Sequence, residues 1–505
     1  MQSGVRLSFR CTPQTMRSRL QTFAAFANSL LPIELDILQS VQRFEDAERS
    51  KILYAIAANC SQVGHFLPYD EDIDKRKYSH LKSWIEERLD NFDVDKEFAW
   101  LSAVELSVHS DAIHSDDEKR LLKMFQSSDA TSYNFLKLYD LGRMFRHYLH
   151  VRLRYAEHKC VTDFLAVHRT SYEYARLVND KLHQATEDII AQYTTNSTDS
   201  MRWEQWLSAV FYDQSLDGYN RNLALIRLIF IAYNYRRFDL LPDKFDYQEK
   251  LLREGKFYSR RLLLNFYSQR LLMYARQNEL EKATYYGYLS IRAENNDYVY
   301  YVNNLAAILL RQSRADEALQ VLRQSLPRAR REQNIHNKIG NASYICLAYN
   351  QLGQYKQSVT HARTFFDVYR KEIFDHRWHL FFSAWLEALV GSGDFSAMLR
   401  LAQQQQLMDR NLVYQKSPNY MPSIPWMLAL ANYRLEKLKF RQISQQFYED
   451  VLHLYHHHGS SLPASLGALF ASVKRHAPEV FDELRGLLQK RGIMPRWPAA
   501  AEPGT

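Results

Sequence analysis

The residues between 298 and 406 carry three related passages: YVYYVNNLAAILLRQSRADEALQVLRQSL (298–326), NASYICLAYNQLGQYKQSVTHARTFF (341–366) and FFSAWLEALVGSGDFSAMLRLAQ (381–403). Each reads as a helix, a tight turn and a second helix. Aligned on Ala318, Ser358 and Met398 in the second helix, they repeat every 40 residues. Leu305, Ile345 and Trp385 fall near the middle of the first helix. Leu309, Tyr349 and Leu389 follow four residues later on the same face, because residues four apart stack along a helix. The turns are Gln312-Ser313-Arg314, Leu352-Gly353-Gln354 and Ser392-Gly393-Asp394. Gly353 and Gly393 suit the left-handed conformation that ends many helices. Ala315, Tyr355 and Phe395 then open the second helix. A fixed period of this length predicts an all-α chain, an α-solenoid of antiparallel helical hairpins in which each hairpin buries its flanks against the next.

The pattern resembles the tetratricopeptide repeat family. The matching residues are Asn304-Leu305-Ala306, Leu309 and Ala318 in one unit, and Ile345, Tyr349, Leu352-Gly353, Tyr355 and Ala362 in the next. Family units run to about 34 residues, so a 40-residue period calls for longer helices or links. Two degenerate units flank these, one with Tyr274, Leu280 and Ala283, the other with Leu430, Phe440 and Ile443. The TPR-like part thus spans about 257–457. The remaining organisation reads as a flexible leader (1–15), an N-terminal helical domain (16–195), degenerate hairpins (200–256), C-terminal capping helices (458–491) and a disordered tail (492–505).

Composition agrees with a helical chain. Of 505 residues only 15 are Gly and 13 Pro, and these are the residues that punctuate strands and turns. No apolar run reaches the length of about 18 residues needed to span a membrane, so no membrane span is expected. The cysteines, Cys11, Cys60, Cys160 and Cys346, are scattered without a CxxC pair, which fits a reducing, cytoplasmic setting. Cys346 falls on a core face. The N-terminal 33 residues hold Arg6, Arg10, Arg17 and Arg19 and no acid. A transit-type leader has that character, but a loose leader followed by an amphipathic helix from Gln14 to Leu31 accounts for it as well, and Met16 is an alternative start. Further on, a single helix is expected over Glu34–Val63, a charged loop over 65–78, an N-cap at Ser115, and two or three long helices over Ser132–Tyr193. Trp203–Phe211 and Asn222–Tyr235 pair beyond the polar run 194–200.

No nucleophile elbow, phosphate-binding loop, HExxH or GxGxxG motif is present. The expectation is therefore a non-enzymatic protein with no cofactor and no metal. Three polar groups bear on a metal: His109, Asp111, His114, Asp116 and Asp117; Asp375, His376 and His379; and His453, His456, His457 and His458. None has the spacing of a compact ligand set, and loops or helix ends explain each.

In the tetratricopeptide repeat family the first helix of each hairpin lines the concave face. The resemblance places peptide-binding positions at Tyr300, Asn303, Asn304, Ala307, Leu310 and Arg311 in one unit, and at Ser343, Leu347, Asn350 and Gln351 in the next. Asn304 matches the central Asn of the family's clamp for C-terminal carboxylates. The flanking positions hold Ser268, Leu272, Gly340 and Tyr344 rather than Lys and Arg, so that clamp is incomplete. The function expected is an adaptor or scaffold binding a protein or peptide in the groove. Residues 251–331 suggest an alternative, with 14 Lys and Arg against 7 Asp and Glu in a chain of net charge +8. Tyr285, Tyr286, Tyr288, Tyr298, Tyr300 and Tyr301 lie there among Arg276, Arg292 and Arg311, and bases stack on such side chains in RNA-binding repeats. A peptide-responsive regulator is the third reading.

Overall fold

A computed structural model describes residues 20–63, 66–195, 198–415, 420–458, 466–493 and 495. Arg6, Arg10, Arg17, Arg19, Cys11, Met16, Gly459 and residues 496–505 lie outside them. The described residues contain helices and no strand. No helix is long and apolar enough to cross a membrane. The chain divides into two compact units, 1–301 and 302–505.

The first unit contains α1 (Gln21–Ala27), α2 (Pro32–Val41), α3 (Ala47–Cys60), α4 (Lys75–Phe92), α5 (Val94–His109), α6 (Ser115–Ser127), α7 (Phe135–Val151), α8 (Tyr155–Val167), α9 (Arg169–Thr195), α10 (Glu204–Tyr212), α11 (Gly218–Asn234), α12 (Pro242–Arg253), α13 (Arg260–Arg276) and α14 (Leu280–Ser290). The single helix expected over Glu34–Val63 is two. Asp46 caps α3 by accepting from the backbone of Glu48 and Arg49, which favours a fresh helix start over continuation. The cap expected at Ser115 falls one residue earlier, at His114. The stretch 132–193 is three helices, α7 to α9.

Two apolar cores organise this unit. One is shared by α5 to α9, around Leu101, Leu121, Phe145 and Phe164. The other joins α1 to α4 with α9 to α14, so helices at the start of the chain complete the core of a hairpin more than 200 residues away. Glu34, fully buried, accepts from the Tyr258 hydroxyl at 2.8 Å and from the Leu31 N–H at 2.8 Å. Arg260 donates to the Ser29 carbonyl at 2.6 Å. Arg292 donates to the carbonyls of Leu30 (2.8 Å) and Cys60 (2.7 Å). Buried polar groups of this kind are stable only when paired, and the pairing fixes α1–α3 over α12–α14.

Helix α15 (Tyr298–Arg311) runs through the division. The second unit continues with α16 (Ala315–Arg331), α17 (Ile335–Gln351), α18 (Tyr355–Asp375), α19 (Trp378–Gly391), α20 (Phe395–Gln404), α21 (Leu407–Tyr414), α22 (Ser423–Arg434), α23 (Phe440–His458), α24 (Leu466–His476) and α25 (Pro478–Lys490). Neighbouring helices pack in pairs. α17 packs on α16, α18 and α19; α19 packs on α17, α18, α20 and α22; α22 packs on α19, α20, α23 and α24. The apolar faces merge into one core around Phe366, Phe381, Phe382 and Trp385 and another around Trp426, Phe447, Phe470 and Phe481. The 40-residue spacing is taken up in helix length, since α17 has 17 residues and α18 has 21.

One turn recurs through the chain. At Ser313, Gly353 and Gly393 the backbone is left-handed, with φ of 60°, 70° and 75°. The next N–H reaches back five residues in each case: Arg314 to Leu309, Gln354 to Tyr349, Asp394 to Leu389. This is the bond set of a Schellman cap. The same turn forms at Asn278 (φ 62°), with Glu279 bonded to Tyr274, and at Glu436 (φ 60°), with Lys437 bonded to Asn432. It closes helices outside the hairpins as well, at Asp111, Leu153, Gly255 and Gly492.

Candidate functional site

The positions inferred for ligand contact divide into two groups. Asn303, Ser343 and Asn350 are buried, 3%, 0% and 4% exposed. Asn303 donates to the Asn337 carbonyl at 2.9 Å, and Asn350 to the Ala384 carbonyl at 2.8 Å. Ser343 bonds back to Ile339 in its own helix at 2.8 Å. Gln351 is exposed yet donates to the Leu310 carbonyl at 3.1 Å. These amides tie α15 to α17 and α17 to α19, using the second lone pair that helical carbonyls retain. Leu310 is buried. Tyr300, Asn304 and Ala307 are half-buried and Arg311 is exposed; Tyr300 falls in the first unit.

The half-exposed stripe that remains continues onto α19. Stepping by the 40-residue period from Ser343, Leu347 and Gln351 leads to Ser383, Glu387 and Gly391. With His379 these lie at four-residue intervals along one face of α19, and all four are half-buried in a helix whose other late residues are fully buried. The 40-residue period alone points to them.

Their chemistry differs from that of the amides on α15 and α17. Burial pushes the Glu387 carboxyl up to about 7, opposed by the Asn350 side chain and the charge of Arg475. The Asn350 Nδ2 lies 3.4 Å from Glu387 Oε2. Burial also lowers His379 to about 4, and its ring stacks on Tyr414 at 4.3 Å. The Asn350 Oδ1, Ser383 Oγ and His379 Nε2 have no hydrogen-bond partner among the described residues. A folded protein pairs nearly all of its buried polar atoms, so three such atoms on the two helices α17 and α19 are unusual.

Tyr355 and Arg475 form the rim. A Cβ on Gly391 would lie 2.2 Å from Tyr355 Cε1, so the ring rests directly on the backbone of α19 and only glycine admits it. The Arg475 guanidinium stands 5.5 Å from the centre of that ring and donates to the Tyr355 hydroxyl.

The tyrosine- and arginine-rich region is largely internal. Tyr301 is fully buried, and Tyr285, Tyr286 and Tyr300 pack against the first unit's core. Arg276 lies over Phe238 at 3.8 Å, and Arg292 holds the backbone carbonyls of Leu30 and Cys60. Ring faces used in this way are not presented to bases.

The polar groups weighed as metal ligands are also dispersed. Asp111 pairs with Arg152 at 2.7 Å and Asp117 accepts from Trp100 at 2.8 Å. The His376 ring lies 4.5 Å from that of His336 with the planes tilted by 53°, while His379 stacks on Tyr414. The side chains of His457 and His458 lie outside the described residues. Among the described residues no cluster of three or more His, Cys, Asp or Glu could hold a metal ion.

No protein-family model, curated protein or solved structure matches the chain.

Proposed function

We propose that the second unit is a TPR-like solenoid and that the chain acts as a non-enzymatic adaptor. It binds an extended protein or peptide segment along the half-exposed stripe of α15, α17 and α19. Support for the stacking comes from the packing order, in which α19 touches both α17 and α18 and α22 touches both α19 and α20. The observation that carries the binding reading is the run of unpaired polar atoms beside Glu387. A peptide main chain offers alternating donors and acceptors, and pairing an otherwise unpaired polar atom recovers about 1–3 kcal/mol.

The test places a photo-crosslinking amino acid at Leu347 in the full chain, with a control at Val368, which is 66% exposed on α18. Crosslinking of one discrete polypeptide from position 347, absent from position 368, is the expected result. Equal labelling from both positions removes the stripe reading. Crosslinked material that is RNA, released steeply by salt, replaces it with the nucleic-acid reading.

A further inference from the structure

The rim of the stripe names part of its ligand. In a stacked array each hairpin touches its immediate neighbours. Arg475 lies on α24, and two hairpins, α19–α20 and α22–α23, separate it in sequence from the Tyr355 it contacts at the head of α18. It therefore reaches back across the first helices and not merely to the adjoining pair.

What it reaches is a set of acceptors. The Tyr355 hydroxyl accepts from it, and the Tyr355 ring faces its charge. One helical turn before Gly391, on the same face of α19, stands Glu387, whose carboxylate lies 3.4 Å from Asn350 Nδ2. A carboxylate, a phenol oxygen and a ring face together match a guanidinium, which supplies only donors and a delocalised charge. Arg475 acts on Glu387 through its charge, while its guanidinium N–H goes to the Tyr355 hydroxyl.

Resting on the adaptor reading above, we infer that the bound segment carries a basic side chain, arginine before lysine, and that Arg475 holds its place between Tyr355 and Glu387 in the free protein. The ligand's guanidinium displaces Arg475 and completes the pairing with Glu387. Arg475 is thus an internal competitor.

The experiment uses the full chain and fluorescein-labelled peptides of about ten residues, identical except for a central Arg, Gln or Glu, read by anisotropy. Arg475→Ala should bind the Arg peptide about tenfold more tightly than the unaltered chain, with no change for the Gln peptide. Adding Glu387→Gln should remove that gain. Arg475→Gln, which keeps more of the stem, provides the same comparison if the alanine variant melts early. The inference is overturned if the Glu peptide binds best to the unaltered chain and weakens in Arg475→Ala, since Arg475 is then an anion clamp. It is equally overturned if the central residue makes no difference in any variant. Neither result touches the crosslinking from Leu347, which decides the adaptor reading separately.

Discussion

Hairpins α13–α14 and α17–α18 share one turn geometry but are finished differently. The first is roofed by distant chain: Tyr258 bonds to Glu34, Arg260 to Ser29, and Arg292 to Leu30 and Cys60. The second is held by its neighbours in sequence, through Asn350 to Ala384 and Gln351 to Leu310, and internally through Ser358 to Cys346. The comparison teaches that one supersecondary unit serves as a core element where a foreign helix covers it. Where neighbouring units and the Arg475 side chain flank it, it keeps a half-exposed stripe.

The largest expected effect tests the roof. Glu34→Ala strands the Tyr258 hydroxyl, the Leu31 N–H and the nearby Arg260 charge, and should cost about 3 kcal/mol or more. Urea unfolding followed by tryptophan fluorescence reads it. A loss under about 1 kcal/mol would mean that α2 is not a fixed part of that core.

The next test falls on the stripe. The Glu387 carboxyl is raised to about 7 from an ordinary 4.5 by burial, so the folded chain holds the proton more tightly than the unfolded one. The resulting stability is complete below about pH 4.5 and is lost as pH rises through about 7. Glu387→Gln should therefore be more stable than the unaltered chain at pH 8, by about 2 kcal/mol after allowing for partial solvent access, and the two should converge near pH 4.5. Parallel melting profiles across that range would contradict the assignment.

Smaller effects come from the turns. Gly353→Ala puts a side chain into left-handed backbone at φ 70° and should cost about 1 kcal/mol, with the melting temperature lowered by a few degrees. Glu436→Gly should do the reverse, a gain of about 0.5–1 kcal/mol, because Glu436 already sits at φ 60°. If Glu436→Gly destabilises instead, the equivalence of the outer turn with the central ones is lost.

These contrasts explain what the sequence made legible. The helical class and the central turns could be read because Gly353 and Gly393 advertise left-handed backbone and the spacing repeats. The same turn at Asn278, Ser313 and Glu436 carries residues that adopt it at a cost, so its geometry leaves little trace in the letters. The break between α2 and α3 was missed because Asp46 acts as a cap only through its bonds to Glu48 and Arg49. The covering of α13–α14 by α1–α3 involves partners more than 200 positions apart, which no local pattern encodes. In the site, Asn303 and Asn350 were recognised as distinctive polar residues on the first helices, but not as ties between them. Glu387 was reachable by the repeat alone, whereas Arg475 required the fold.

Those ties have one more consequence. The amides of Asn303, Asn350 and Gln351 grip main-chain oxygens of Asn337, Ala384 and Leu310, and a main-chain oxygen survives exchange of almost any side chain. The helices can thus stay in register while neighbouring outward positions drift, so that mutation can reshape the surface without dismantling the frame beneath it.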